Sequence, residues 1–150
     1  MLSKIVFVII AILFLALSGF YFFINSSYQN SFEARFYYLV GNYEKAYDFA
    51  QKAYKEDIYN KMAITVLNQS KIAKEYVIYI KTGNDYFDKI NKISSKKSYK
   101  EADKVRIKMM CEIMIGEYKK LVPTKLTDKE LVKDAKETYT KFKQLYEQLY

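Results

Sequence analysis

The chain has 150 residues, a net charge of +8 and no histidine. It therefore lacks the commonest general base and the commonest metal ligand, and its single cysteine, Cys111, excludes an intramolecular disulfide. One proline and four glycines argue against a turn-rich all-β fold.

Residues 5–24 carry no charge, and fifteen of these twenty are Ile, Val, Leu or Phe. As a helix rising about 1.5 Å per residue, the run measures roughly 30 Å, the hydrocarbon thickness of a bilayer. At about −0.3 to −0.6 kcal/mol for each such residue, insertion is favoured by roughly 5 to 9 kcal/mol. A short start containing Lys4 and a small-x-small site at Ala16-Leu17-Ser18 also fit a signal peptide. The apolar run continues to Ile24, however, beyond the roughly 7 to 15 residues of a signal core, which favours an uncleaved transmembrane anchor over 1–25. Lys4 lies on one side, and the first basic residue on the other is Arg35. The positive-inside rule then predicts a single pass of the bacterial inner membrane. The N-terminus is cytoplasmic and the main domain, 26–150, is periplasmic.

After a polar exit over 25–30, a helix is predicted from Ser26 or Ser27, both good N-caps, to about Val40. Gly41-Asn42 breaks it. A second helix runs from Tyr43 to Glu56, with Tyr43, Ala46, Tyr47, Ala50, Ala53 and Tyr54 spaced at three and four.

Over 27–60 these residues resemble one tetratricopeptide repeat, a helical hairpin with small side chains where its helices cross. Ala34 falls at the small crossing position and Tyr37 at the aromatic one. Gly41-Asn42-Tyr43-Glu44-Lys45-Ala46 is similar to the family's G-x-Y-x-x-A step, and Ala53 is the second small residue. The chain departs from the pattern at Asn30, Glu33-Ala34, Ala50 and Ile58, where the family has an aromatic, a Leu-Gly pair, a second aromatic and a proline. The resemblance implies a protein-binding face on the first helix, formed by Tyr28, Ser31, Arg35 and Tyr38. It also implies an accessory role of the kind that small anchored repeat proteins serve around secretion systems and flagellar motors.

Residues 59–81 predict a third helix with Met62, Val66, Ala73, Val77 and Ile80 on one face. Thr82-Gly83-Asn84 echoes the earlier turn, and Tyr86, Phe87, Ile90 and Ile93 follow as a short helix. Together 61–94 reads as a degenerate second unit, with Lys89 where a small residue belongs. A loop over 94–98 precedes a helix over 99–121, with Ala102, Val105, Met109, Ile113 and Tyr118 inward. Met109, Met110 and Met114 are expected to fill core gaps, and Cys111 to be a buried thiol. Pro123 ends that helix. Thr127 and Glu130 form a capping box for the last one, 128–150. Its Leu131, Ala135, Thr138, Phe142, Leu145 and Leu149 repeat at steps of four and three. Such a seam packs within the chain or, alternatively, joins a second copy as an oligomer.

The charge excess concentrates over 85–108, with eight basic residues against four acidic. Its patch of Lys96, Lys97, Lys100 and Lys104 reads as a solvated face, with anionic lipid the alternative ligand. There is no glycine-rich phosphate loop, no Cys or His metal spacing and no nucleophile motif. No catalytic residue, cofactor, metal or nucleic-acid partner is expected. The expectation is an all-α chain of about five to six helices: an anchor, a TPR-like hairpin and C-terminal helices. It would work as a non-catalytic scaffold for a protein partner at the membrane.

Overall fold

The computed structural model describes residues 2–95 and 100–149, and among these it is all-α. The helices are α1 (Leu2–Ile24), α2 (Ser26–Leu39), α3 (Tyr43–Glu56), α4 (Lys61–Ser94), α5 (Glu101–Tyr118) and α6 (Lys129–Leu149). The chain divides into two compact units, Met1–Ser70 and Lys71–Tyr150, and α4 begins in the first and ends in the second.

In unit 1, the α1 stretch Lys4–Tyr21 is long and apolar enough to cross a membrane, and none of it is buried. Asn25 interrupts the helix with an extended backbone, and its side-chain oxygen accepts the Tyr28 amide at 3.3 Å. The cap of α2 is therefore Asn25 rather than Ser26 or Ser27, and Ser27 is buried instead. α2 ends in a tight turn at Gly41, whose φ of 78° is open to glycine at little cost. The Asn42 amide reaches back to the Tyr37 carbonyl at 2.9 Å while its side chain accepts the Lys45 amide. One two-residue step thus closes α2 and caps α3. The two helices run antiparallel over a seam of Ala34, Ala46, Ala50 and Ala53, all fully buried, with Val66 of α4 packed on it. Small side chains let the axes approach, and the Tyr37 and Phe49 rings stack beside them at 5.4 Å.

In unit 2, α4 packs with α5 and α6 around Tyr76, Tyr79, Ile107, Met114 and Phe142. The expected break at Thr82-Gly83-Asn84 is absent: α4 runs through it as one helix, so 61–94 is not a second hairpin. Gly83 is buried, and a Cβ there would lie 2.5 Å from Thr138 Cγ2 and 3.2 Å from the Met114 methyl. The glycine serves close packing of α4 on α6 rather than a turn. Just beyond it, Phe87 stacks on Phe142 at 4.1 Å.

The face assigned to α5 is also corrected. Asp103, Ile107, Cys111 and Met114 point inward, whereas Ala102, Val105, Met109 and Ile113 are exposed. Tyr118 is half-buried against Tyr139, with ring centres 4.4 Å apart. Of the three methionines only Met114 is fully in the core. On α6, Ala135, Thr138 and Phe142 of the heptad seam are buried within unit 2, and Leu149 is exposed. Asp128 caps the helix, accepting the Glu130 amide on its carboxylate and the Val132 amide on its carbonyl. Thr127 instead accepts the Thr124 amide at 2.8 Å, so the expected Thr127 cap is displaced by one residue.

Candidate protein-binding surface

The four residues expected to form a binding face lie on α2, and the helix divides them. Ser27, Ser31 and Ala34 mark the buried side. Ser31 is fully buried: its hydroxyl donates to the Tyr28 carbonyl at 2.9 Å and accepts the Asn60 side-chain amide at 3.2 Å. A partner cannot reach it, and it belongs to the internal architecture. Tyr38 is half-buried, edge-on to Tyr43 at 5.4 Å. Tyr28 and Arg35 are exposed.

Asn60 organises this interior. Its amide nitrogen also meets the Ser27 hydroxyl at 3.0 Å and the Ser27 carbonyl at 3.3 Å, and its oxygen accepts the Ala63 amide at 3.1 Å. The Ser27 hydroxyl in turn donates to the Ala53 carbonyl at 2.9 Å. This buried polar cluster fastens the start of α4 to the start of α2, with its donors matched to acceptors.

On the opposite side of α2 lies a set of residues that the sequence analysis assigned to no site. Phe32, Phe36, Leu39 and Val40 are 61, 57, 71 and 58 % exposed. Phe36 follows Phe32 by four residues, and Leu39 and Val40 follow Phe36 by three and four, so they share one helical face, and with Tyr28 they extend roughly 18 Å along α2. Placing Ser27, Ser31 and Ala34 on the crossing face would have located this stripe, because Phe32 and Phe36 fall on the other side of a 3.6-residue helix. Monomers seldom leave such a contiguous apolar stripe uncovered. Beside it, Lys45 lies over the Tyr37 ring at 5.1 Å and Lys52 over the Phe49 ring at 5.2 Å, giving the adjacent aromatic pair a cationic cover.

Unit 2 carries a shallower feature. A groove of about 470 Å³ between α4 and α5 has an apolar floor of Ile93, Met109, Met110 and Ile113 and a rim of Lys89, Lys92 and Arg106. Of the expected basic patch, Lys96 and Lys97 lie outside the described residues. Lys100 is exposed, and Lys104 is paired with Glu101 at 3.2 Å.

Burial, with Glu112 adding to it, pushes the Cys111 thiol up to about 11, so it stays protonated near neutrality. Burial likewise raises Tyr79, whose hydroxyl donates to the Met114 carbonyl at 3.2 Å. Among the described residues no group of three or more Cys, Asp or Glu side chains could hold a metal ion. Comparison with known protein families, with curated proteins and with solved structures finds no match.

Proposed function

We propose that this protein is a non-catalytic, membrane-anchored scaffold that holds a protein partner on the outer face of α2. In this reading α1 crosses the bacterial inner membrane once with Lys4 on the cytoplasmic side, and the helical body is periplasmic. The hairpin of α2 and α3 is a TPR-like unit, placed by the anchor beside a larger envelope assembly. The observation that carries the reading is the Phe32, Phe36, Leu39 and Val40 stripe, an exposed apolar surface that begins about two turns past the anchor. Large aromatic side chains at the centre of such a stripe suit a protein interface. Arg35, exposed at its edge, supplies the charged rim.

The test is photo-crosslinking in intact cells, with the reactive residue placed at position 36 of the full chain. A discrete protein adduct that disappears in the Phe32→Ser background is expected. Absence of any protein adduct at positions 32, 36 and 39 would remove the proposal. Orientation is read separately: Asn42→Cys should react with a membrane-impermeant maleimide from the periplasmic side only.

A further inference from the structure

The return end of the hairpin carries an unusual pair of side chains. The turn over 57–60 joins α3 to α4, and in it Ile58 is 54 % and Tyr59 83 % exposed. Among the described residues no large apolar side chain is more exposed than Tyr59. The turn is nevertheless well held. Asp57 accepts the Tyr59 amide on its carboxylate at 2.9 Å, and Asn60 is buried in its contacts with Ser27 and Ser31. Two bulky side chains are thus presented outward side by side by a fixed backbone.

Where this turn lies gives the reason. Because α3 runs back along α2, the turn stands beside Ser27, three residues beyond Ile24 at the end of α1. Three residues reach at most about 11 Å even when fully extended, and about 4.5 Å as helix. The headgroup layer on each side of the hydrocarbon core is about 5 to 8 Å thick. With Asn25 extended and Ser26 and Ser27 already in helix, Ser27 lies roughly 6 Å beyond the end of α1, within the depth of that layer. Tyr28 marks the same level: its ring meets Tyr21 of α1 at 6.1 Å, and Asn25 donates to the Tyr21 hydroxyl at 3.5 Å. Tyrosine, with an apolar ring and a polar tip, is the residue type that settles at this boundary.

We infer that the 57–60 turn is a second membrane contact, seating Ile58 and Tyr59 in the interfacial layer of the leaflet from which α1 emerges. This rests on the reading of α1 as a membrane-spanning anchor and adds a two-point attachment to it. The hairpin is held against the bilayer at both the start of α2 and the end of α3, so it cannot swivel freely about Asn25. The occupant is lipid, because the turn is fixed beside Ser27, three residues from the end of the apolar α1, and presents an isoleucine and a tyrosine there.

The full-length chain is reconstituted at one copy per vesicle in phosphatidylcholine–phosphatidylglycerol liposomes. A nitrobenzoxadiazole fluorophore is attached in turn to Leu13→Cys, Asn42→Cys and Tyr59→Cys, and the lipids carry a doxyl quencher near the headgroup in one preparation, which reads positions 42 and 59, and deep in the acyl chain in another, which reads position 13. Cys111 stays in place, being fully buried, and the unsubstituted chain serves as the labelling blank. The proposal expects label at 59 to be quenched several-fold more than label at 42, at the far end of the hairpin. Equal quenching at 59 and 42, with 13 strongly quenched, overturns the second contact and leaves the anchor standing. No quenching at 13 overturns the anchor reading and this inference with it. Protection of 59 that arises only at high protein density, without lipid quenching, assigns the turn to a second copy and also overturns it.

Discussion

The two units use their large apolar side chains in opposite ways. Unit 2 buries them: Phe142, Ile107 and Met114 are enclosed, and Tyr76 and Tyr79 are nearly so. Unit 1 is closed mainly by small residues, Ala34, Ala46, Ala50, Ala53, Ala63 and Ser31, while Phe32, Phe36 and Leu39 face out. Burying a phenylalanine rather than exposing it is worth about 1.5 to 3 kcal/mol, so unit 1 forgoes several kcal/mol of core that it could have had. The lesson is one of placement: unit 2 encloses its largest side chains, whereas unit 1 closes on alanine and serine and leaves its largest ones exposed.

The contrast can be broken most severely in unit 2. Phe142→Ala should cost about 3 to 5 kcal/mol, read as a lower denaturant midpoint, because it removes a fully buried ring stacked on Phe87. Gly83→Ala comes next. Alanine improves helix propensity by about 1 kcal/mol, but its Cβ would meet the Thr138 methyl at 2.5 Å on a stiff β-branched side chain. A net loss of about 1 to 3 kcal/mol is expected. Thr138→Ser removes that methyl, so the double variant should regain much of the loss; an additive double-mutant cycle would contradict the steric account.

In unit 1 the sensitive point is polar. Asn60→Ala leaves the Ser27 and Ser31 hydroxyls without their shared donor and α4 without its cap. About 1 to 3 kcal/mol should be lost, with amide exchange rising at the start of α2. The smallest effect on stability sharpens the comparison most. Phe32→Ser with Phe36→Ser alters two exposed rings, so thermal unfolding should move by no more than about 0.5 kcal/mol while crosslinking from position 39 is lost. A large drop in stability would mean that the stripe belongs to the chain's own packing.

The first hairpin was legible because local chemistry determines it. Glycine at a left-handed position, followed by an asparagine cap, specifies where α2 stops and α3 starts, and both boundaries of α3 follow. The same reasoning misled at Thr82-Gly83-Asn84, since a glycine is also what a helix uses where another helix approaches closely. Only Thr138, 55 residues further on, distinguishes the two uses, and no local signal carries that. α5 was misassigned because it is apolar on two sides. Val105, Met109 and Ile113 form one stripe and Ile107, Cys111 and Met114 another, and periodicity alone cannot rank them. The outward stripe on α2 was present in the spacing of Phe32 and Phe36. It was hidden by the habit of assigning the largest side chains to the interior, when here serine and alanine occupy it. Lys96 and Lys97 fall outside the described residues, so the basic patch has no structural outcome.

The polar cluster at Asn60 also bears on biosynthesis. Its partners lie 29 and 33 residues back along the chain, and two further bridges across the hairpin, Ser27 to Ala53 and Asn30 to Glu56, each span 26. These are short loops to close, and every residue of unit 1 exists once position 70 has been added. Domains tend to fold as units in the order of synthesis. The hairpin can therefore close before unit 2 is complete. The exposed apolar stripe of α2 is then in place first, and the unit that buries its own large side chains is completed last.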